Sequence, residues 1–310
     1  MIRKDQLPKI WADDWLPAVA ERRLTIEQGH EVRLILCNSL DAPLFMLGEG
    51  MGYTMLPDEE NLSITVESGA KLWLYRLQGM NTPARHLTQA GIVMQQDASL
   101  DMCTVTLGGQ HVRNNVVVRM QGERGHCAVN GIYLIDREQR CDNYVFVEHA
   151  KPHCESSELY KGIIDDAARA GFNGHVLVQD GAVKTEAYMT NRNILLTDKA
   201  HVDTRPFLEI YNDDVKCSHG STIGQLDEQA LFYLMTRGIS HKTAVTMLSY
   251  AFCDEVIRTI AIEPLRNAVG DMVKKRLHGE LSPSCDECAI RCTSPCNGEA
   301  ADFKIDPNKL

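Results

Sequence analysis

The sequence predicts a mainly β fold, a parallel β-helix, followed by a small C-terminal α-helical domain. Three observations support this prediction. Short runs rich in β-branched and aromatic residues, separated by Gly, Asn and Asp turns, fill the chain from about Glu31 to Cys217, and almost nothing between them has helical periodicity. A weak repeat of strand and turn occurs within this region. After Gly224 the spacing of apolar residues changes to that of helices.

Each predicted strand is a run of about four to six residues bounded by turn residues. In chain order the runs are VRLIL, LSITV, LWLYRL, CTVTL, VVVRM, IYLI, YVFV, HVLV, NILL and FLEIY. A succession of such runs is typical of an all-β region.

The repeat relates residues 175–185 (HVLVQDGAVKT) to residues 193–204 (NILLTDKAHVDT), at an offset of 18 residues. A repeat of this size fits one coil of a parallel β-helix, in which each coil buries its apolar residues against the next. The alternative is a β-sandwich, for which the Asn130-Gly131 and Asn173-Gly174 pairs supply hairpin turns. The pattern favours the β-helix over the sandwich.

Three helices are predicted after the β region. The first starts with an acidic turn and ends at Gly238, which suits a left-handed C-terminal cap. Ser240 caps the second helix, and Pro264 separates it from a third that continues to about Arg276. Because a solenoid needs its end covered, we expect these helices to cap the β-helix, and they also offer a docking surface.

The chain has 310 residues, with 42 acidic and 32 basic side chains and a formal net charge of -10. This balance argues against nucleic acid or an anionic membrane as the main partner. No segment reaches about 18 consecutive apolar residues. Charges and prolines interrupt the N-terminal segment where a signal peptide has its apolar core. We therefore expect a cytoplasmic protein.

Eleven cysteines in a cytoplasmic chain of this size indicate thiol, metal or sulfur chemistry rather than disulfides. Four of them lie in the tail CDECAIRCTSPC, at Cys285, Cys288, Cys292 and Cys296. Thiolates are soft ligands, and four of them this close together can surround a zinc ion or an iron-sulfur cluster. The sequence therefore predicts metal binding by the tail, with zinc and an iron-sulfur cluster both open.

The stretch DDVKCSHGST at residues 213–222 places Cys217 and His219 two residues apart. In an extended segment these side chains project from the same face, so the thiol and the imidazole can reach one shared ligand. Such a pair suits iron or sulfide, but two ligands are too few, which predicts that a second subunit completes the site. The alternative is a buried thiol beside a core histidine. No nucleotide-binding or hydrolase motif accompanies the pair.

The stretch from Glu158 to Ser240, which begins ELYKGIIDDAARAGFNGHVLVQDG, resembles the SufB/SufD family of iron-sulfur cluster assembly proteins. The segment SYAFCDEV further on fits the terminal helices of the family. The resemblance covers roughly residues 100–275. It implies a right-handed parallel β-helix followed by a helical domain that binds the ATPase SufC. It also implies that subunits pair through the last β coils, where the cluster-building residues of the family lie.

On this resemblance, Cys217 and His219 match the SufD-type positions that face the partner subunit. SufB-type members have a cysteine where this chain has Asn191 and a glutamate where it has Gly220. The resemblance therefore implies a SufD-like, short member that holds a transient iron-sulfur cluster at an interface with a second copy or with a SufB-type subunit. A sulfur donor protein is a further expected partner, and the tail thiols are candidates to replace the missing cysteine.

The predicted division of the chain is an N-terminal extension (1–22), a parallel β-helix core (23–225), a helical ATPase-docking domain (226–278) and a Cys-rich tail (279–310). The predicted function is that of a scaffold subunit, not an enzyme, that works with a separate SufC-type ABC ATPase. The alternative is a structural zinc-binding β-helix protein. A polysaccharide-processing β-helix is disfavoured, because aromatic residues make up only 6% of the chain.

Overall fold

The computed structural model of the protein describes residues 21–37, 54–57, 61–79 and 85–278. The strands within these ranges are β1 (Glu21–Ile26), β2 (Glu31–Cys37), β3 (Thr54–Pro57), β4 (Asn61–Val66), β5 (Lys71–Gln78), β6 (Arg85–Met94), β7 (Ser99–Thr106), β8 (His111–Met120), β9 (His126–Ile135), β10 (Arg140–His149), β11 (Glu155–Ile164), β12 (Arg169–Val178), β13 (Glu186–Leu195), β14 (His201–Ile210) and β15 (Lys216–Gly224). The helices are α1 (Glu228–Thr236), α2 (His241–Ile257) and α3 (Glu263–His278).

The strands form two sheets, and from β4 onward successive strands alternate between them. One sheet has seven strands in the order β1-β4-β6-β8-β10-β12-β14, and the other has eight in the order β15-β13-β11-β9-β7-β5-β2-β3. Every pairing between the described strands is parallel, as between Glu155 on β11 and Glu186 on β13. A chain that coils in this way is a parallel β-solenoid. The predicted β-helix is therefore confirmed over the antiparallel sandwich.

One coil of the solenoid is longer than the sequence repeat indicated. Arg140, Arg169 and His201 are lateral neighbours in the seven-stranded sheet, which makes these successive coils 29 and 32 residues long. The 18-residue offset instead relates the end of β12 to the end of β13, which lie in opposite sheets. The interpretation of that offset as one coil was wrong, because each coil carries the strand-and-turn pattern twice.

The lumen between the two sheets holds the main hydrophobic core. Alternate side chains of each strand point inward, such as Val145 and Val147 on β10 and Val176 and Val178 on β12, all fully buried. Because the pairing is parallel and in register, inward side chains of successive coils form files along the solenoid axis. Any inward position on the last coil therefore continues a file that begins deep in the core.

A second core joins the helices to the outer face of the eight-stranded sheet. Ile132, Leu134 and Ile163 on the sheet pack with Val256 and Leu265 on the helices. Polar contacts support this packing: Lys161 Nζ donates to the carbonyl of Phe252 at 2.8 Å, and the backbone N–H of Ala261 donates to the Tyr75 hydroxyl at 3.0 Å. The helices therefore lie along the flank of the solenoid.

This placement corrects the expectation that the helices cap the solenoid. Among the described residues, β14 and β15 are edge strands of their sheets, and α1 buries none of its side chains. An apolar helix face can cover a sheet face as readily as a sheet end. Here the helices cover the sheet face, and no described helix covers the last coil.

The helix ends follow the local sequence signals. Asp227 caps α1 by accepting from the N–H groups of Gln229 and Ala230, and Ser240 caps α2 by accepting from the N–H of Thr243. Gly238 has a φ of 85°, a left-handed conformation that glycine adopts without strain. None of the described helices combines the length and the apolar character that crossing a membrane requires.

Arg276 anchors α3 to the solenoid, and its removal should loosen the helical module. Its guanidinium donates to the carbonyl of Leu107 at 2.8 Å, to Asp136 at 2.7 Å and to Gln139 at 3.1 Å, and its side chain is only 9% exposed. We expect Arg276→Gln to lower the free energy of unfolding by about 2 to 4 kcal/mol, measured by urea unfolding together with hydrogen exchange of the α3 amides.

The matched control is Arg258→Gln, which removes an ion pair to Asp254 from a side chain that is 78% exposed. We expect a change of at most about 0.5 kcal/mol there, because solvent screens exposed pairs. Equal effects of the two substitutions would contradict the anchoring role of Arg276.

Candidate functional site

Cys217 and His219 lie on β15, the last strand of the eight-stranded sheet. In the register of this pairing, Cys217 lies beside Ala187 and His219 lies beside Met189. Ala187 and Met189 are fully buried in the lumen. Cys217 and His219 therefore continue two lumen files, at the end where no further described coil covers them. Cys217 is half-buried against the lumen core, and His219 is exposed.

The Cys217 thiol loses its proton less readily than an exposed thiol does. Partial burial raises its pKa, and a backbone hydrogen bond with Ala187 acts against this shift. Since the thiolate is the nucleophile and the metal ligand, Cys217 is mainly neutral near pH 7. A nearby cation such as iron favours loss of the proton and converts the thiol into a ligand.

Cys217 differs from most other cysteines of the described residues in its access to solvent. Cys103, Cys141 and Cys253 are buried, and burial raises the pKa of each to about 12. Cys253, on α2, packs in the core between the helices and the sheet. These three thiols are packing residues, whereas Cys217 can reach a ligand.

Asn191 on β13 lies beside Ser221 on β15, two residues beyond His219. Its side chain is fully buried, and its amide donates to the Tyr133 hydroxyl and to the carbonyl of Tyr160, both at 3.3 Å. Its oxygen accepts from the Asn193 amide at 2.7 Å. These bonds hold Asn191 in place as a structural residue within the lumen wall.

Gly220 lies between His219 and Ser221 on the same edge strand. A Cβ atom built on Gly220 would meet nothing within 4 Å. A larger residue therefore fits here without steric conflict.

At the end of the solenoid formed by β14 and β15, exposed apolar side chains lie beside two strand edges that pair with no described strand. Residues on or next to the last strands are markedly exposed: Tyr188 45%, Phe207 53%, Tyr211 59% and Ile223 49%. Ser221 Oγ and Thr204 Oγ1 are 3.0 Å apart across the lumen, which brings the two sheets together at this end. Free strand edges with apolar side chains are typical of surfaces that pair with another chain.

Sequence reasoning missed Glu158, which lies inside the lumen on β11. The register places Glu158 beside Met189, so it belongs to the same file as His219, two strands further in. It is only 2% exposed, and neither carboxyl oxygen has a hydrogen-bond partner among the described residues. Burial raises the pKa of this carboxyl group well above its ordinary value, which favours the neutral acid.

His149 and Ser156 form a hydrogen-bonded pair in the lumen wall. His149 Nε2 and Ser156 Oγ are 2.8 Å apart, and burial lowers the pKa of His149 to about 4. The imidazole is therefore neutral near pH 7. His149 is therefore a structural residue of the lumen wall and is closed to solvent.

The predicted tail ligands Cys285, Cys288, Cys292 and Cys296 lie outside the described residues. No group of three or more His, Cys, Asp or Glu side chains within the described ranges is arranged to hold a metal ion. Binding of zinc or of an iron-sulfur cluster by the tail, and the alternative structural zinc protein that rests on it, stay predictions.

Comparison with known proteins relates the chain to one family. Residues 51–252 match the family model described as "SUF system FeS cluster assembly, SufBD core domain". The iron-sulfur cluster assembly protein SufD of Escherichia coli is 37% identical over 217 residues, which cover 70% of this chain and 51% of that protein.

Similar relatives occur in other bacteria and in plants. An iron-sulfur cluster assembly SufBD family protein of Mycobacterium leprae is 34% identical, over 67% of this chain and 55% of that protein. The chloroplastic protein ABCI7 of Arabidopsis thaliana is 31% identical, over 69% of this chain and 45% of that protein. The chain thus spans about half the length of these curated relatives.

Replacement of Glu158 should change how stability depends on pH. The folded-state pKa of Glu158 is raised. Its contribution to the free energy of unfolding is therefore greatest below the unfolded pKa of about 4.3, and it is lost as the pH rises toward the folded pKa. Glu158→Gln removes this loss. We expect the variant to gain stability relative to the native chain between about pH 5 and pH 8, by up to about 1.4 kcal/mol per pH unit.

Urea unfolding at three pH values measures this difference. Glu138→Gln, in an exposed turn, is the matched control and should show no such trend. A difference between the Glu158 variant and the native chain that stays constant over this pH range would contradict the neutral, buried state of Glu158.

Proposed function

The chain belongs to the SufBD core-domain family of the SUF iron-sulfur cluster assembly system, and from this premise we propose that it is a SufD-type scaffold subunit. An iron-sulfur cluster, the cargo of the system, is built between this chain and a partner chain. The chain itself performs no catalysis in this proposal, and ATP hydrolysis belongs to a separate subunit.

The observation that carries the proposal is the position of Cys217 and His219. Both continue lumen files at the uncovered end of the solenoid. Residues i and i+2 on one strand face lie about 6.6 Å apart, which allows a thiol and an imidazole to approach the same small cargo. His219 can accept the proton that Cys217 loses when iron binds, or bind iron directly.

A partner chain completes the site in this proposal. Two ligands are fewer than iron in a cluster requires, and Asn191 and Gly220 add neither a thiolate nor a carboxylate. The unpaired edges of β14 and β15, with their exposed apolar side chains, favour strand addition by a partner. A second copy would add another thiol and imidazole, and a SufB-type subunit would add its own ligands.

The first helix is the proposed docking site of a SufC-type ATPase. Phe232, Tyr233 and Met235 on α1 are 69%, 57% and 44% exposed. Such a cluster of large apolar side chains on one short helix is typical of a binding surface. The other two helices are held on the sheet, which leaves α1 as the accessible element of the module.

The chain path supports mechanical coupling between this helix and the cluster site. Only residues 225–227 separate β15 from α1, and β15 carries both Cys217 and His219. Movement of an ATPase bound to α1 would therefore act on the edge strand itself. The close-packed lumen behind β15 resists deformation. The displacement would therefore open the interface between β15 and the partner chain and expose the Cys217 thiol to iron and sulfide.

His219→Ala tests the central proposal. We expect it to lower the rate of cluster assembly by about tenfold or more, because one ligand or proton acceptor is lost, while folding and ATPase binding remain. Cluster formation on the reconstituted complex is followed by anaerobic absorbance and iron content, and folding by circular dichroism. Assembly at the native rate in this variant would sink the proposed role of His219.

Two further substitutions separate the proposed surfaces. Ile223→Asp, at the uncovered end of the lumen, should weaken subunit pairing but keep ATPase binding. Phe232→Asp, on α1, should do the reverse, since each places a charge in a different apolar patch. Mass measurement of the intact complex after co-purification reports both events and identifies the paired subunit. Loss of both events in either variant, or of neither, would contradict the assignment of the surfaces.

A further inference from the structure

A polar pocket of about 220 Å³ lies on the seven-stranded sheet, within its last three strands β10, β12 and β14. Arg140, Arg169 and Arg205 line it together with Asp142 and Asp203. The helices occupy the other sheet, and Cys217 and His219 lie on β15 of that other sheet. The pocket is therefore separate from the proposed cluster site.

A glycine shapes the floor of the pocket. The register places Gly171 between Asp142 and Asp203 on the neighbouring strands. A Cβ atom on Gly171 would lie 2.5 Å from Asp142 Oδ1, closer than two such atoms can approach. A side chain at this position would displace the Asp142 carboxylate and narrow the pocket, so glycine keeps this part of the floor open.

Both aspartates of the pocket already have cationic partners. Asp142 accepts from Arg140 Nε at 2.7 Å and lies 3.3 Å from His111 Nε2. Asp203 accepts from Arg205 at 2.6 and 3.2 Å. The negative charge of the pocket is therefore neutralised from within.

Arg169 remains as the uncompensated cation. It is exposed, and within the described ranges no hydrogen bond or ion pair joins its guanidinium to another side chain. Its lateral neighbours are Arg140 and His201, so no acidic residue flanks it in its row. Three arginines against two paired aspartates give the pocket a net positive charge.

The row that contains Arg169 extends this basic character along the solenoid. The register aligns one basic residue from each of five neighbouring strands, namely Arg85, His111, Arg140, Arg169 and His201. Neighbouring strands lie about 4.8 Å apart, so the like charges of the adjacent Arg140 and Arg169 repel each other across the sheet. A chain with a net charge of -10 thus places a row of basic residues at the starts of five neighbouring strands.

We propose that this pocket binds a small anion with several charged oxygens, a phosphate or a di- or tricarboxylate, held by the Arg169 guanidinium. The planar guanidinium donates two parallel hydrogen bonds to such oxygens. The pocket volume suits a small molecule rather than a polymer. Arg140 and Arg205, fixed by their aspartates, have further N–H groups with which to orient the ligand. The proposal does not depend on the cluster-assembly function.

Calorimetric titration of the full chain, in low-salt buffer free of other oxyanions, tests the site with inorganic phosphate and with citrate separately. We expect at least one of them to bind with a Kd below about 1 mM. Arg169→Gln should weaken that binding by about tenfold or more. Arg169→Lys should weaken it less, because lysine keeps the charge but cannot donate two parallel hydrogen bonds.

Two other variants sharpen the result. Gly171→Ala should weaken the same binding by displacing the Asp142 carboxylate into the pocket. Arg258→Gln, which replaces an exposed arginine on the helical module, should leave the binding within about twofold. Binding of only one probe identifies its class as the ligand, and binding of both indicates a general oxyanion site. No binding of either probe up to about 10 mM, or equal binding by the Arg169→Gln variant, would overturn the proposal.

Discussion

Lateral pairing between parallel strands is the interaction on which the rest of the structure depends. Each coil satisfies the backbone N–H and C=O groups of the coils beside it, and sheets of seven and eight strands result. Among the described residues, β14 and β15 have a partner on one side only. The rule that builds the solenoid therefore also leaves an end with unpaired edges. Cys217 and His219 lie at this end, where the proposed partner chain would complete both the sheet and the site.

The sequence predicted those parts of the fold that local patterns determine. Asp227, Ser240 and Gly238 identify the helix ends because a cap acts within one turn of its helix. The coil length did not follow from the 18-residue offset. Strands of the two sheets have similar sequences, so the offset from one sheet to the other resembles a full coil. The position of the helices did not follow either. Their apolar faces match the flank of the solenoid as well as its end, and only the assembled sheet shows which offers more buried surface.

The residues of the candidate sites likewise divide into those that a local pattern predicts and those that only the register reveals. That Cys217 and His219 share one face follows from the strand period of two. Glu158 was missed because an inward polar residue cannot be told from an outward one until the register is known. The three residues before it, Glu155, Ser156 and Ser157, are also polar, so nothing in the local pattern marks Glu158 as a buried position. The anion pocket joins Arg140, Arg169 and Arg205 from three separate coils, and no local pattern connects them.

The solenoid also separates its surfaces by how they are linked to α1. The edge strand β15 belongs to the sheet that carries the helices, and residues 225–227 connect it directly to α1. Force on α1 therefore reaches Cys217 and His219 along the chain. The anion pocket lies on the opposite sheet, where residues 211–215 and the Ser221–Thr204 hydrogen bond join β14 to β15. Its other two strands, β10 and β12, are paired on both sides within that sheet. Packed cores resist continuous deformation, so movement of β15 reaches the β14 side of the pocket first and displaces Arg140 and Arg169 least.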